Sequence, residues 1–159
     1  MNPFPVLGPE DHLLLTPFPE SVVRALIRGE PLPIATAEDW PQQGTVFGLR
    51  MSVDHGHPPG WMVILDALVI GDCGIHSAPD QHGIIEIGYG LASSYHSKGI
   101  GTTVVRMISD YLGSLPEVTK VIAQTEPGNL PSQRVLTKNG FHEVESEGDL
   151  LRFERAATT

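Results

Sequence analysis

The segment Ser97-Lys98-Gly99-Ile100-Gly101-Thr102 sets two glycines, a lysine and a hydroxyl at the expected start of a helix. The first turn of a helix carries free N–H groups and the positive end of the helix dipole. Glycines there let an anion approach the backbone, while Lys98 adds charge and Thr102 a hydroxyl. In outline this is a phosphate or pyrophosphate cradle. A glycine-rich turn that binds nothing is the plainer reading of an isolated Gly-x-Gly. Two other phosphate loops fail on spacing. No G-x-x-x-x-G-K-[ST] run occurs. Gly88-Tyr89-Gly90-Leu91-Ala92-Ser93 and Gly99-Ile100-Gly101-Thr102-Thr103-Val104 both lack the third glycine of a dinucleotide fingerprint, and no acidic partner follows at a second strand end. Nicotinamide and ATP chemistry are therefore not expected. Asp54, His55 and His57 could hold a metal, but their Pro/Gly-rich surroundings read as an exposed loop. Cys73, the single cysteine, could carry an acyl group, yet in an apolar strand it reads as packing. No metal site is expected.

The elements that must position this loop follow from periodicity. Ile84 to Leu91 alternates as a strand, with Ile85, Ile87, Tyr89 and Leu91 on one face and Ile84, Glu86, Gly88 and Gly90 on the other. A short polar stretch, Ala92 to Lys98, leads to a helix from about Gly99 to Leu112. Its buried stripe is Ile100, Val104, Ile108 and Tyr111, widened by Val105 and Leu112, and Gly113 suits its C-cap. Strands are expected at His12–Thr16, Trp61–Leu65, Ala67–Ile75, Thr119–Thr125, Phe141–Ser146 and Leu150–Arg155. The last two flank a turn at Glu147-Gly148-Asp149. Helices are expected at Glu20–Arg28, opened by Pro19 and stopped by Gly29, and at Pro131–Lys138, closed by Asn139-Gly140. Pro31 to Gly44 reads as loop, and Thr45 to Val53 is ambiguous. Strands come in a run, then alternate with helices. That order predicts an α/β (α+β) fold: a mixed, mostly antiparallel sheet of six to seven strands with helices on both faces.

The bulk numbers bound the function. The 159 residues make one domain. Seventeen glycines and fourteen prolines predict sharp element ends. The formal charge of −9 argues against nucleic acid or an anionic membrane surface as partner. It favours small cationic partners, although surface acidity is most simply solubility. One cysteine rules out an intrachain disulfide and a Cys-rich zinc site. No apolar run approaches the ~18 residues of a membrane span. The first residues lack a basic and apolar leader, so the expected setting is cytoplasmic.

Several stretches together carry a family resemblance. They are Glu86-Ile87-Gly88-Tyr89-Gly90-Leu91, Tyr95-His96-Ser97-Lys98-Gly99-Ile100-Gly101-Thr102, Asn129-Leu130-Pro131-Ser132 and Val135-Leu136-Thr137-Lys138-Asn139-Gly140-Phe141. In this order and spacing the chain resembles the GCN5-related N-acetyltransferase (GNAT) superfamily, and most nearly its ribosomal-protein N-terminal acetyltransferase branch. The resemblance covers about a third of the chain and little of the first 60 residues. It implies the GNAT fold, acetyl-CoA as co-substrate and an amine acceptor. It divides the domain into an acceptor-side region, 10–60, and an acetyl-CoA core, 61–156. A homodimer is compatible with it.

The resemblance also distributes roles. The family loop Q/R-x-x-G-x-G/A reads His96-Ser97-Lys98-Gly99-Ile100-Gly101 here, so His96 departs from the usual residue. Ser97 to Thr102 would hold the pyrophosphate. The backbone of Tyr89, Gly90 and Leu91 would pair with the pantetheine arm, and Asn129 would hydrogen-bond that arm, although a helix-entry turn alone also explains an Asn there. Glu86 falls where relatives keep a general base, and Gly88 and Gly90 follow it on its face unless a bulge intervenes. A solvated strand glutamate is the rival reading. Ser132 matches a serine near the sulfur, and is equally read as a first-turn helix residue. The tyrosine that many relatives use as general acid is replaced by Leu136. Tyr95 and Tyr111 read as packing groups. His76 and His82 flank the acceptor side and are candidates to tune amine binding. The implied reaction is direct acetyl transfer to a primary amine of a small molecule or protein N-terminus. The His96 and Leu136 departures keep open a non-catalytic acyl-CoA-binding module.

Overall fold

A computed structural model describes residues 4–146 and 148–158. Among the described residues eight strands form one sheet: β1 (Leu7–Glu10), β2 (Leu13–Pro17), β3 (Trp61–Leu65), β4 (Leu68–Ile75), β5 (Ile84–Leu91), β6 (Lys120–Thr125), β7 (His142–Val144) and β8 (Leu151–Ala156). Four α-helices among the same residues accompany them: α1 (Glu20–Arg28), α2 (Gln43–His55), α3 (Ile100–Gly113) and α4 (Leu130–Lys138). The spatial order is β1-β2-β3-β4-β5-β6-β8-β7. All pairs are antiparallel except β5 with β6.

The expected sheet of six to seven strands is corrected to eight. The addition is β1, an edge strand carrying Pro9, where a missing N–H is tolerated because no further strand needs it. The ambiguous stretch from Thr45 is α2, and the helix consumes the start of what looked like a turn. Gln42 caps it: its side chain accepts from the Thr45 backbone, while Thr45 Oγ1 accepts from the Gln42 N–H at 3.3 Å. Gly56 ends it with φ 71°. Helix α3 runs one residue past expectation, with Ser114 rather than Gly113 as its cap. Of the expected turn at 147–149, Glu147 lies outside the described residues.

The two faces of the sheet are covered by different helices. Ile85, Ile87 and Leu91 of β5 are buried, as are Val104, Val105, Ile108 and Leu112 of α3. Helix α3 packs on β4, β5 and β6, and α4 packs on α3 and β6. On this side Trp61 stacks on Phe4 at 4.0 Å and meets the Tyr111 ring edge at 5.8 Å. Helix α2 lies on the opposite face. There Thr45 Oγ1 donates to Asp72 at 2.6 Å, and Gln42 reaches over Gly90 to donate to the Leu91 carbonyl at 3.0 Å.

Candidate active site

The register of β4 on β5 is regular from Gly71–Leu91 to Ile75–Ile87. No bulge interrupts β5, so Glu86, Gly88 and Gly90 stay on the α2 face throughout. β5 pairs with β6 only from Ile84–Lys120 to Glu86–Ile122. Beyond Glu86 the two strands part. Ile87 to Leu91 therefore present backbone N–H and C=O groups to a gap.

The glycine-rich loop sits at the far end of this gap. Ser97 has φ 60° and Gly99 φ 79°, and Gly99 is the N-cap of α3. Two left-handed residues this close fold the intervening amides toward one concavity. Nothing stands within 4 Å of a Cβ at Gly99, so the left-handed backbone, and not crowding, calls for glycine there. Gly101 differs. A Cβ there would meet the Tyr89 ring at 3.4 Å, Val135 at 3.7 Å and Leu91 at 3.8 Å. It faces the α3–α4–β5 packing, where contacts at these distances admit a methyl group and only a larger side chain crowds. His96 turns away from the concavity: its Nε2 donates to the Leu91 carbonyl at 2.8 Å, alongside Gln42. The ring thus braces the loop against the end of β5. Lys98 is exposed and extends over the Tyr95 ring at 5.5 Å. Ile100 and Thr102 open α3, and the Thr102 carbonyl accepts from Asn139 at 3.1 Å.

Across the gap, Asn129 caps α4, its Oδ1 accepting from the Ser132 N–H at 3.2 Å. The exposed amide Nδ2 is left to donate elsewhere. Ser132 Oγ lies 3.2 Å from Tyr89 Oη. Burial pushes the Tyr89 phenol above its ordinary value, opposed by the Ser132 hydrogen bond. Leu136, where the resemblance would place a tyrosine, is fully buried.

On the α2 face a cleft of about 260 Å³ opens between α2 and strands β4 and β5. Its lining includes Thr45, Leu49, Ser52, Asp72, His76 and Gly88. His76 N donates to the Glu86 carbonyl at 3.0 Å, continuing the β4–β5 register. Their side chains meet on the same face, Nδ1 to Oε2 at 2.9 Å. Gln124 Nε2 donates to the same carboxylate at 3.3 and 3.4 Å. The His76 ring fills the space that Gly88 leaves beside Glu86: a Cβ at Gly88 would stand 2.9 Å from His76 Nε2. The Glu86 side chain is 20% exposed and that of His76 58%. Burial pushes the Glu86 carboxyl up, but hydrogen bonds from His76 and Gln124 and the nearby Arg152 charge outweigh it and hold the group below 4.5. The Glu86 hydrogen bond raises His76 above 6.5, against the effect of burial.

Asp72 is a residue the sequence reading missed. It accepts from Trp40 Nε1 at 2.9 Å and from Thr45 at 2.6 Å, and lines the cleft floor. Burial raises its carboxyl, which the two hydrogen bonds oppose. An acidic residue in an otherwise apolar strand was the available signal. His82 lies in the exposed turn between β4 and β5, apart from the cleft lining. His57 is corrected: it is 8% exposed, because its N–H folds back onto the Ser52 carbonyl after the Gly56 cap. Among the described residues no three His, Cys, Asp or Glu side chains gather as a metal site. Cys73 is buried, and burial, then the Asp72 charge, raises its thiol well above 9.0. No described helix is long and apolar enough to cross a membrane.

A parted parallel pair, a left-handed amide loop and an asparagine-capped helix stand together in this sheet. Residues 9–142 match the Acetyltransferase (GNAT) domain family. The chain belongs to that family. It is 33% identical over 88 residues to the uncharacterized N-acetyltransferase p20 of Bacillus licheniformis, covering 55% of this chain and 48% of that one. It is also 33% identical over 73 residues to the uncharacterized N-acetyltransferase YjdG of Bacillus subtilis (strain 168), covering 46% and 44%. The chain thus spans about half the length of these curated relatives. Among solved structures it resembles RimL, a ribosomal L7/L12 alpha-N-protein acetyltransferase in complex with coenzyme A, with a TM-score of 0.70, 18% identity and coverage of 96% and 98%. It also resembles Mycobacterium smegmatis RimJ in complex with CoA-disulfide, with a TM-score of 0.65, 23% identity and coverage of 91% and 82%.

Proposed function

We propose that the protein transfers the acetyl group of acetyl-CoA directly to a primary amine of a small molecule or a protein N-terminus. The observation that carries this is the parting of β5 and β6 beyond Glu86, with the amide loop at one end and an ionisable pair on the neighbouring face. Acetyl-CoA lies with its pyrophosphate on the amides of Ser97 to Thr102 and its pantetheine arm along Tyr89, Gly90 and Leu91, with Asn129 donating from α4. The amine enters from the α2 side. Its lone pair attacks the thioester carbonyl, its proton passes to a base, and the thiolate leaves. Strand N–H groups facing the gap stabilise the developing oxyanion. The unit is one domain, with 10–60 on the acceptor side and 61–156 around the cofactor. Complexes of RimL and RimJ with forms of CoA support the donor.

The test is a panel of small amines and N-terminal peptides with acetyl-CoA, read by free-thiol release. CoA should raise Tm, since a ligand that binds only the folded state stabilises it, and ATP and NADH should do so far less. A Tm shift without turnover on any amine would leave only an acyl-CoA-binding module. Equal shifts for all three ligands would overturn the cofactor as well.

A further inference from the structure

We propose that His76, through Nε2, takes the proton from the attacking amine, and that Glu86 positions the ring without touching the amine. This rests on the acetyl-transfer reading above and names its base. Three observations carry it. The Glu86 carboxylate is already engaged, by His76 Nδ1 at 2.9 Å and by Gln124 at 3.3 and 3.4 Å. The ring lies between that carboxylate and the cleft: His76 and Gly88 line the cleft and Glu86 does not. With Nδ1–H held by Glu86, the neutral ring carries its lone pair on Nε2, which lies over Gly88, a cleft-lining residue that brings no side chain of its own.

The carboxylate–imidazole order also suits the chemistry. A carboxylate held below its ordinary value is a poor proton acceptor at neutral pH, whereas an imidazole raised above 6.5 is matched to it. The charged and titratable groups around the ring are Glu86 on β5, Arg152 on β8 acting on Glu86, and Asp72 farther along β4. Helix α2 lines the cleft with Gly44, Thr45, Gly48, Leu49 and Ser52, none of them charged. In the step itself, the amine nitrogen bonds to the thioester carbon and the carbonyl π pair moves to oxygen. The N–H proton passes to His76 Nε2. Collapse of the oxyanion breaks the C–S bond and releases CoA thiolate. Solvent carries the imidazolium proton to the thiolate, restoring neutral His76.

The experiment is kcat against pH for wild type, His76→Ala and Glu86→Gln with one good acceptor, beside CoA affinity by calorimetry. Wild type should show an acid limb above pH 6.5. Glu86→Gln should keep that limb, moved to lower pH, because the group that raises His76 is gone. His76→Ala should lose the limb, fall about 100-fold in kcat and recover about tenfold or more with added imidazole, a positioned base being worth ~10²–10⁴. CoA affinity should be unchanged in both variants, which shows that they are folded. His76→Ala within about threefold of wild type, or loss of the limb in Glu86→Gln while His76→Ala keeps it, overturns the assignment while acetyl transfer stands. Absence of thiol release by wild type with every amine overturns both readings.

Discussion

The Tyr89 hydroxyl on β5 and the Ser132 hydroxyl at the entry of α4 stand 3.2 Å apart, joining two elements that flank the gap between β5 and β6. Leu136 carries no dissociable proton, so on the proposed reaction we expect this hydroxyl pair to relay the solvent-borne proton to the departing thiolate. Ser132→Ala and Tyr89→Phe should each lower kcat by roughly 10-fold, toward the weak end for an acid because a thiolate leaves readily. The double variant should cost little more than either single one, since both remove the same bridge. Calorimetry should return wild-type CoA affinity. Additive losses would show that the two hydroxyls act separately.

The two loop glycines should fail in different ways. Gly99→Ala leaves space untouched but strains a left-handed residue, costing about 1–2 kcal/mol. Its CoA affinity should fall as the amides tilt, with a modest drop in Tm. Gly101→Glu drives a charged chain into Tyr89, Leu91 and Val135, so a large loss of Tm should accompany loss of CoA binding. Denaturation and calorimetry on both variants distinguish strain from crowding.

Asp72 gives a pH dependence of known sign. Its folded-state value lies above the ordinary 3.8 because burial disfavours the charge. The folded protein therefore holds that proton more tightly than the unfolded chain. The stability this contributes is complete below 3.8 and is lost as pH rises through the raised value. Asp72→Asn should remove the loss, so the Tm of wild type relative to the variant should fall across that window. Asp72→Leu strands the Trp40 and Thr45 donors and should destabilise by about 1–3 kcal/mol at every pH.

Restoring the family's tyrosine should not help. Leu136 is fully buried, and a ring there overfills the contact between α4 and the sheet. Leu136→Tyr should cost about 1–3 kcal/mol and leave kcat no higher than wild type, measured by urea unfolding and thiol release.

Where local pattern and tertiary packing agree, the sequence reading holds to the residue. Helix α1 and strands β3 and β5 begin and end where capping and alternation place them. Helix α2 was not legible. Its two glycines and scattered apolar residues give little helical signal, and Leu49 burial with the Thr45–Asp72 bond supplies what propensity lacks. β1 was hidden by Gly8-Pro9, which reads as a turn. The loop glycines and Asn129 were visible as motif positions. The pairing of His76 with Glu86 was not, because His76 and His82 are equal candidates until the β4–β5 register is known. That register lies in the strands and not in the connecting residues.

The strand order also governs how the molecule comes apart. β1 through β5 are each hydrogen-bonded to their neighbours in sequence, while β6, β8 and β7 form a second ladder. The two ladders share only the pairs from Ile84–Lys120 to Glu86–Ile122, with α3 packed across both. This seam is short and interior to the sheet, and hydrogen exchange of β6 amides should report opening there below the global unfolding free energy. Acetyl-CoA, bound between the parted strands as proposed, should supply the missing rungs. Occupied, the two ladders should unfold as one cooperative unit; empty, they should separate first along the seam.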